Sequence, residues 1–495
     1  MTLRFVVLAM IAGALAACAA VGPDYGGPPA TTAHTASDWP SAVAQDNGPA
    51  MVADEPPQAW WRQLDDPALD ELITTAVGAN YDLRIAAANV EAARAILAGV
   101  TTRRAPTVDV GGTLEERRDS SALNVATDPD DRLPSTSSGA FGADLSWEID
   151  LFGRVRRSIE AAAADLGSLE AVRNGVMVSV LAAVARAYVD LRGSQLRLDV
   201  ARRNVAVQEQ TLELVEVLLA EGAATELDAA RARTQLLTSR ARIPALDARA
   251  RAAVNRLTTL TAQAPGALDA TVAAWQPIPE LAKLPEFIAV GSPVDLLRRR
   301  PDIAAAERAL AAASAKIGVA TAALFPTVSF GAGVGVGAAP LSGLIDAGAP
   351  FFALGPSITW NVFDRAAIYA NIRQADSTAA ANLARYEGIV TRALEEVDTA
   401  ISAYRNERLV RHQLNEAVGS SRLAAELARL RYREGVEDFL DVLDAQRNLL
   451  IVEDQRAVSG IRLAQNLIDI HLALGGGWDA VAPPPHRPYD LRSVK

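Results

Sequence analysis

Between Arg154 and Glu221 the chain carries no proline and an unbroken helical pattern. As one α-helix those roughly 67 residues would span on the order of 100 Å, at about 1.5 Å per residue. A helix of that length with a single apolar stripe does not make a compact domain; it packs side by side with others, as a coiled coil or a tube. The stripe reads at Leu196, Val200, Val207, Leu214 and Leu218. After Glu221-Gly222-Ala223 a second helical run goes from Thr225 to about Gln263, and Pro244 is expected to kink or break it.

The plan occurs twice. Tyr81 to Ala88 resembles Pro301 to Ala306, and Asp82 to Pro106 covers 24 positions (106 − 82), as does Asp302 to Pro326 (326 − 302). Trp147 and Phe152 are echoed by Trp360 and Phe363, and Glu221-Gly222 returns as Glu434-Gly435 at an offset of 213 (434 − 221). Each half, 66–263 and 293–474, reads helix, strand, strand, long helix, turn, long helix. The second long hairpin runs from about Arg365 to Leu474. A Pro-rich linker, 264–292, separates the halves, and 475–495 is a similar tail.

Four stretches, at about 107–115, 141–150, 327–337 and 352–362, alternate apolar with polar or small residues. Each is about ten residues, the length of a tilted membrane strand. Trp147 and Trp360 near the strand ends suit an aromatic girdle, or alternatively a protein core. Four strands cannot close a barrel, and an open sheet edge cannot be left in lipid. Copies must therefore pool strands, eight in a dimer or twelve in a trimer, and only the trimer leaves room for a channel.

Composition narrows the function. The chain is 50% hydrophobic but 5% aromatic, which suits closely packed helices rich in small residues. A net charge of −11 argues against nucleic acid as a partner, since a phosphate-binding surface needs a basic excess. His34, His412, His471 and His486 have no ligand spacing and read as polar surface positions. No nucleophile–base pair, phosphate loop or metal cluster is present in the pattern, and the glycines from Gly331 to Gly337 alternate as in a strand. Neither an enzyme nor a cofactor is expected. Residues 1–17 read as a signal peptide: Arg4, an apolar run from Phe5 to Leu15, then Leu15-Ala16-Ala17-Cys18. The single cysteine at the cleavage point marks a bacterial lipoprotein acylated on Cys18, and Ala19 beside it points to the outer membrane. The lipid-anchored segment 18–65 is expected to be extended, running along a surface from Cys18 to about Glu55.

The lipid-site cysteine, Val21-Gly-Pro-Asp-Tyr25, the duplicated plan, Phe325-Pro-Thr-Val328 and Val442-Leu-Asp444-Ala-Gln446 together resemble the TolC-like outer membrane factors, in their lipoprotein branch that serves tripartite efflux pumps. The resemblance implies a mainly α fold with membrane β: a homotrimer with a twelve-stranded barrel continuous with a long α-helical barrel, and a mixed equatorial belt formed by the linker and both tails. It implies an efflux duct for drugs or toxic compounds, with a periplasmic adaptor and an inner-membrane RND transporter as partners. It also implies an iris-like gate at Leu440, Asp441, Asp444 and Arg447; the repeat offset, apart from the resemblance, sets Arg231 where a second Asp444 would stand (444 − 213) and offers it as a basic partner. The turns at Glu221, Gly222, Ala223 and at Gly435, Val436 would meet the adaptor.

Plainer explanations stand beside these. Asp438 with Asp441, like Thr225 with Asp228, fits an N-cap and its third-position partner. Glycine at a helix end fits a C-terminal cap. A type I protein-secretion duct and a non-conducting periplasmic spacer are the rival functions; the spacer leaves the four alternating strands unexplained.

Overall fold

A computed structural model describes residues 20–28, 30, 39–40, 50–52, 54–120, 134–275 and 287–481. Cys18, the signal peptide, His34, His486 and the end of the tail lie outside the described residues. The fold is mainly α. Contacts gather the chain into two units, one of 1–28, 92–168 and 306–386, the other of 29–91, 169–305 and 387–495. Each unit draws on both repeats.

In the first unit a four-stranded antiparallel sheet runs β2 (Thr107–Arg117), β3 (Thr136–Ile149), β5 (Thr327–Ala338), β6 (Pro350–Thr359), in that spatial order. The halves join at β3 and β5, where Gly139 faces Ala338 and Ile149 faces Val328. That leaves β2 and β6 with unpaired outer edges. Apolar side chains stand bare on the sheet: Val110 is 83% exposed, Phe352 78% and Ile358 70%. The core alternative for the tryptophans fails, because Trp147 and Trp360 are exposed. Their indole N–H groups donate at 3.0 Å to the carbonyls of Arg104 and Leu324, one equivalent bond per repeat.

The other unit is helical, apart from a short parallel pair, β1 (Ala50–Val52) with β4 (Phe287–Ala289). That pair brings the N-terminal segment onto the linker, and the buried Trp39 indole donates to the Gly291 carbonyl at 3.0 Å beside it. Counted over both units, the α-helices of the described residues are, in chain order, α1 (Pro67–Ala79), α2 (Tyr81–Thr101), α3 (Arg154–Ala220), α4 (Glu226–Arg240), α5 (Arg242–Leu260), α6 (Asp269–Ala273), α7 (Pro293–Arg299), α8 (Pro301–Ala322), α9 (Arg365–Arg433) and α10 (Phe439–Ala473). The expected break at Pro244 falls at Ala241, between α4 and α5. Proline has no N–H to return to the carbonyl four residues back, so the ladder opens there.

The start of each repeat's second helix is tied to the last carbonyl of its returning hairpin. Asn80 Nδ2 donates to the Leu260 carbonyl at 3.0 Å, and Arg300 Nη1 to the Ala473 carbonyl at 2.8 Å. Arg300 also pairs with Asp302 and Glu396, both at 2.7 Å. A second buried cation, Arg192, donates to Asp66 Oδ2 at 2.9 Å and to the Tyr188 hydroxyl at 3.0 Å. Its guanidinium lies 4.8 Å from the Trp275 ring centre.

His471 corrects the expectation of four surface histidines: it is 0% exposed. Its ring stacks on Trp60 with centres 5.3 Å apart, and Nε2 lies 3.2 Å from Gln63 Oε1. Burial pushes its pKa down to about 3. The unfolded chain therefore binds a proton near pH 6.5 that the folded chain refuses until about pH 3. Stability due to this group is complete above pH 6.5 and falls as the pH drops through that window. His471→Gln is expected to flatten the decline of melting temperature between pH 6.5 and 4, measured by thermal denaturation at stepped pH.

Candidate functional site

The two long hairpins of the helical unit end in matching turns. At the first, Gly222 N–H donates to the Leu219 carbonyl at 3.0 Å and Ala223 N–H to the Leu218 carbonyl at 2.8 Å. At the second, Gly435 N–H donates to Tyr432 at 3.0 Å and Val436 N–H to Arg431 at 2.9 Å. Both are Schellman caps, which need a left-handed residue at the position after the helix. Gly222 has φ +79° and Gly435 φ +70°. Neither glycine has a neighbour within 4 Å of where a Cβ would stand, so backbone angle and not space requires them. Glu221, Gly222, Ala223, Gly435 and Val436 are all exposed.

The turns leave their helices differently. Thr225 makes a full capping box with Asp228. Asp438 occupies the same position before α10, but its side chain makes no cap hydrogen bond. Asp441 meets it only through the backbone, its N–H 3.2 Å from the Asp438 carbonyl. The capping-box reading of Asp441 therefore fails, and its carboxylate stands exposed in the first turn of α10.

Beneath the turns all four helices share one apolar knot: Val215 of α3, Ala229 and Ala232 of α4, Ala428 of α9, and Phe439 and Val442 of α10. Tyr432 packs on Phe439 with ring centres 5.3 Å apart. Next to the knot lies a polar seam that the apolar pattern did not reveal. Gln446 of α10 donates to the Thr211 hydroxyl of α3 at 2.9 Å, fully inside the protein. The buried side of α3 here is Ala201, Val205, Gln208, Thr211 and Val215; Val207, expected in the stripe, is exposed.

At the level of the knot, α4 and α10 border a cleft of about 400 Å³. Its lining includes Arg231, Leu440, Asp444 and Arg447, so the structure brings four of the five expected gate residues to one place. Asp441 is not in the lining. Leu440 is 54% exposed. Arg447 Nη2 donates to Asp444 Oδ1 at 2.8 Å, an exposed pair one helical turn apart. Arg231 has no ion pair among the described residues. The cleft thus holds one carboxylate and two guanidinium groups between a first-repeat helix and a second-repeat helix.

An edge-open sheet with bare apolar faces, and duplicated long helical hairpins, define an outer membrane channel of the efflux type. The family profile described as outer membrane efflux protein matches residues 72–263 and 293–476, and the chain belongs to that family. It is similar to the outer membrane protein OprJ of Pseudomonas aeruginosa, 32% identical over 471 residues that cover 95% of each chain. It is 31% identical over 489 residues to the toluene efflux pump outer membrane protein TtgC of Pseudomonas putida, covering 97% of this chain and 96% of that one. Among solved structures, the outer-membrane channel OprN superposes with a TM-score of 0.84 at 37% identity, over 92% of this chain and 99% of that chain. The protein is an outer membrane component of an efflux system.

Proposed function

We propose that three copies pool their strands into a twelve-stranded barrel, forming a duct that passes drugs and other toxic small molecules from periplasm to exterior. The observation that carries this is the sheet itself: four strands with two unpaired edges and bare apolar faces. Such edges cannot stay open in lipid, and a trimer closes them with a lumen wide enough for cargo. TtgC belongs to a toluene efflux pump, which favours small apolar compounds over secreted proteins as cargo. Cys18 carries the lipid anchor, and the linker and tails form the equatorial belt. The exposed turns at Glu221, Gly222, Ala223 and at Gly435, Val436 dock a periplasmic membrane-fusion adaptor, which couples the duct to an inner-membrane RND transporter.

In this reading the first turn of α10 is the gate. Leu440 supplies the apolar plug. Asp441 and Asp444, repeated three times about the axis, favour cations, since rings of carboxylates at a constriction select by charge. Asp444 also neutralises Arg447 and faces Arg231 across the cleft. Removing it leaves two like charges in one cleft and pushes α4 and α10 apart. The double substitution Asp441→Ala/Asp444→Ala is expected to raise single-channel conductance in planar bilayers and to reduce the preference for cations. Conductance and selectivity equal to those of the unaltered protein would sink the acidic gate.

A further inference from the structure

The segment following the lipid-site cysteine does not drift along the surface. Val21 N–H donates to the Phe152 carbonyl at 3.1 Å, just past the end of β3. From the other side, the Arg157 guanidinium reaches the Val21 carbonyl at 3.2 Å, the Gly22 carbonyl at 3.3 Å and Asp24 Oδ1 at 2.6 Å. Its remaining nitrogen holds Glu160 at 2.8 Å. Arg157 is only 3% exposed, an unusual state for an arginine near the surface, and four acceptors account for it.

The fit is steric as well as polar. A Cβ on Gly22 would stand 2.4 Å from the Gly318 Cα, and one on Gly318 would stand 2.8 Å from the Val21 carbonyl oxygen. A Cβ on Gly153 would stand 2.5 Å from the Ala20 Cβ, and Gly153 has φ +84° besides. Two backbones therefore meet at a distance that only glycine permits on either side. The seat is composite: Gly153 and Arg157 come from the first repeat, Gly318 from the second. At its far end Tyr25 is half-buried with its hydroxyl enclosed, close enough to Glu307 to feel its charge.

We propose that residues 20–25 form a strap seated in a built groove of Gly153, Arg157 and Gly318, and that this seat fixes the lipid-bearing terminus against the base of the sheet. Ala20 follows Cys18 by two residues, so the anchor and the seat are adjacent along the chain. The groove is a peptide site occupied in cis, selective for an extended segment with glycine at its second contact and an acid two residues on. Acyl chains alone would let the terminus wander over the bilayer; the strap places them beside the strand ends. The anchoring role rests on acylation of Cys18, whereas the seat does not.

Chymotrypsin cleavage after Tyr25, followed by mass spectrometry on the full-length protein, reads the seat directly. The unaltered strap is expected to be protected. Gly22→Val, which changes only the strap and no residue of the body, is expected to speed cleavage at least about tenfold, because protection follows the population of the open strap. Arg157→Ala should do the same, and Arg157→Lys should retain part of the protection. Cleavage of Gly22→Val at the unaltered rate overturns the proposal, even if Arg157→Ala fails to fold. The same assay on Cys18→Ser separates the seat from the anchor. Protection kept without the lipid supports the seat whether or not the lipoprotein reading holds. Protection seen only in the acylated protein means the lipid does the holding, and overturns it.

Discussion

Replacing Arg192 by methionine is expected to lower stability by about 3–5 kcal/mol, the cost of removing one partner from a buried ion pair. The Arg192 side chain is 5% exposed and that of Asp66 18%. Burial pushes the Asp66 pKa up, but hydrogen bonds from Tyr188, Arg192 and the Ala68 N–H outweigh it and hold the carboxyl below its usual range. In the unaltered protein the ionised Asp66 thus adds stability that is present above about pH 3.8 and is lost as pH falls through its lower folded value. Without Arg192 its hydrogen bond and its charge no longer oppose the burial, while the bonds from Tyr188 and the Ala68 N–H remain, so the folded carboxyl is held down less and ionised Asp66 contributes less at neutral pH. Denaturant midpoints at pH 7 and pH 4 should therefore show a deficit that is large at pH 7 and smaller at pH 4. An equal deficit at both would mean that Arg192 acts by packing on Trp275 alone.

The second large effect is at the tip. Phe439 is 3% exposed and lies in the knot where α3, α4, α9 and α10 meet. Phe439→Ala is expected to cost about 3–5 kcal/mol, the range for emptying a buried aromatic site. The damage should be local. Amide exchange across 428–445 should accelerate while the sheet of the other unit keeps its protection. Equal acceleration everywhere would show that the tip is not a separate cooperative region.

The tip also shows what a linear reading can and cannot see. The two glycine turns were legible because a Schellman cap has one demanding position and glycine fills it twice at the same offset. Repeat arithmetic set Arg231 against Asp444, and both line the cleft between α4 and α10, where Asp444 bonds Arg447 instead. The break near Pro244 followed from a missing N–H. What stayed hidden has a common cause: partners distant in sequence. Gln208 and Thr211 look like surface residues, and only the approach of α10 turns that side of α3 inward. His471 sits in the last turn of a helix, where a histidine usually faces water, but Trp60, more than four hundred positions away, covers it (471 − 60). Asp438 is a separate, local case: it has the right type and spacing for a cap, and its side chain makes no cap hydrogen bond.

The order β2, β3, β5, β6 gives the sheet unlike rims, one from each half of the chain. Copies in the proposed barrel can join only front to back, as links in a chain do, and every joint is the same joint. One subunit with a spoiled β2 rim can still offer a sound β6, so it would enter the ring and then stop it from closing. A minority of such subunits would disable most of the assemblies they enter, and damage confined to one outer strand would spread through a mixed population far beyond its share.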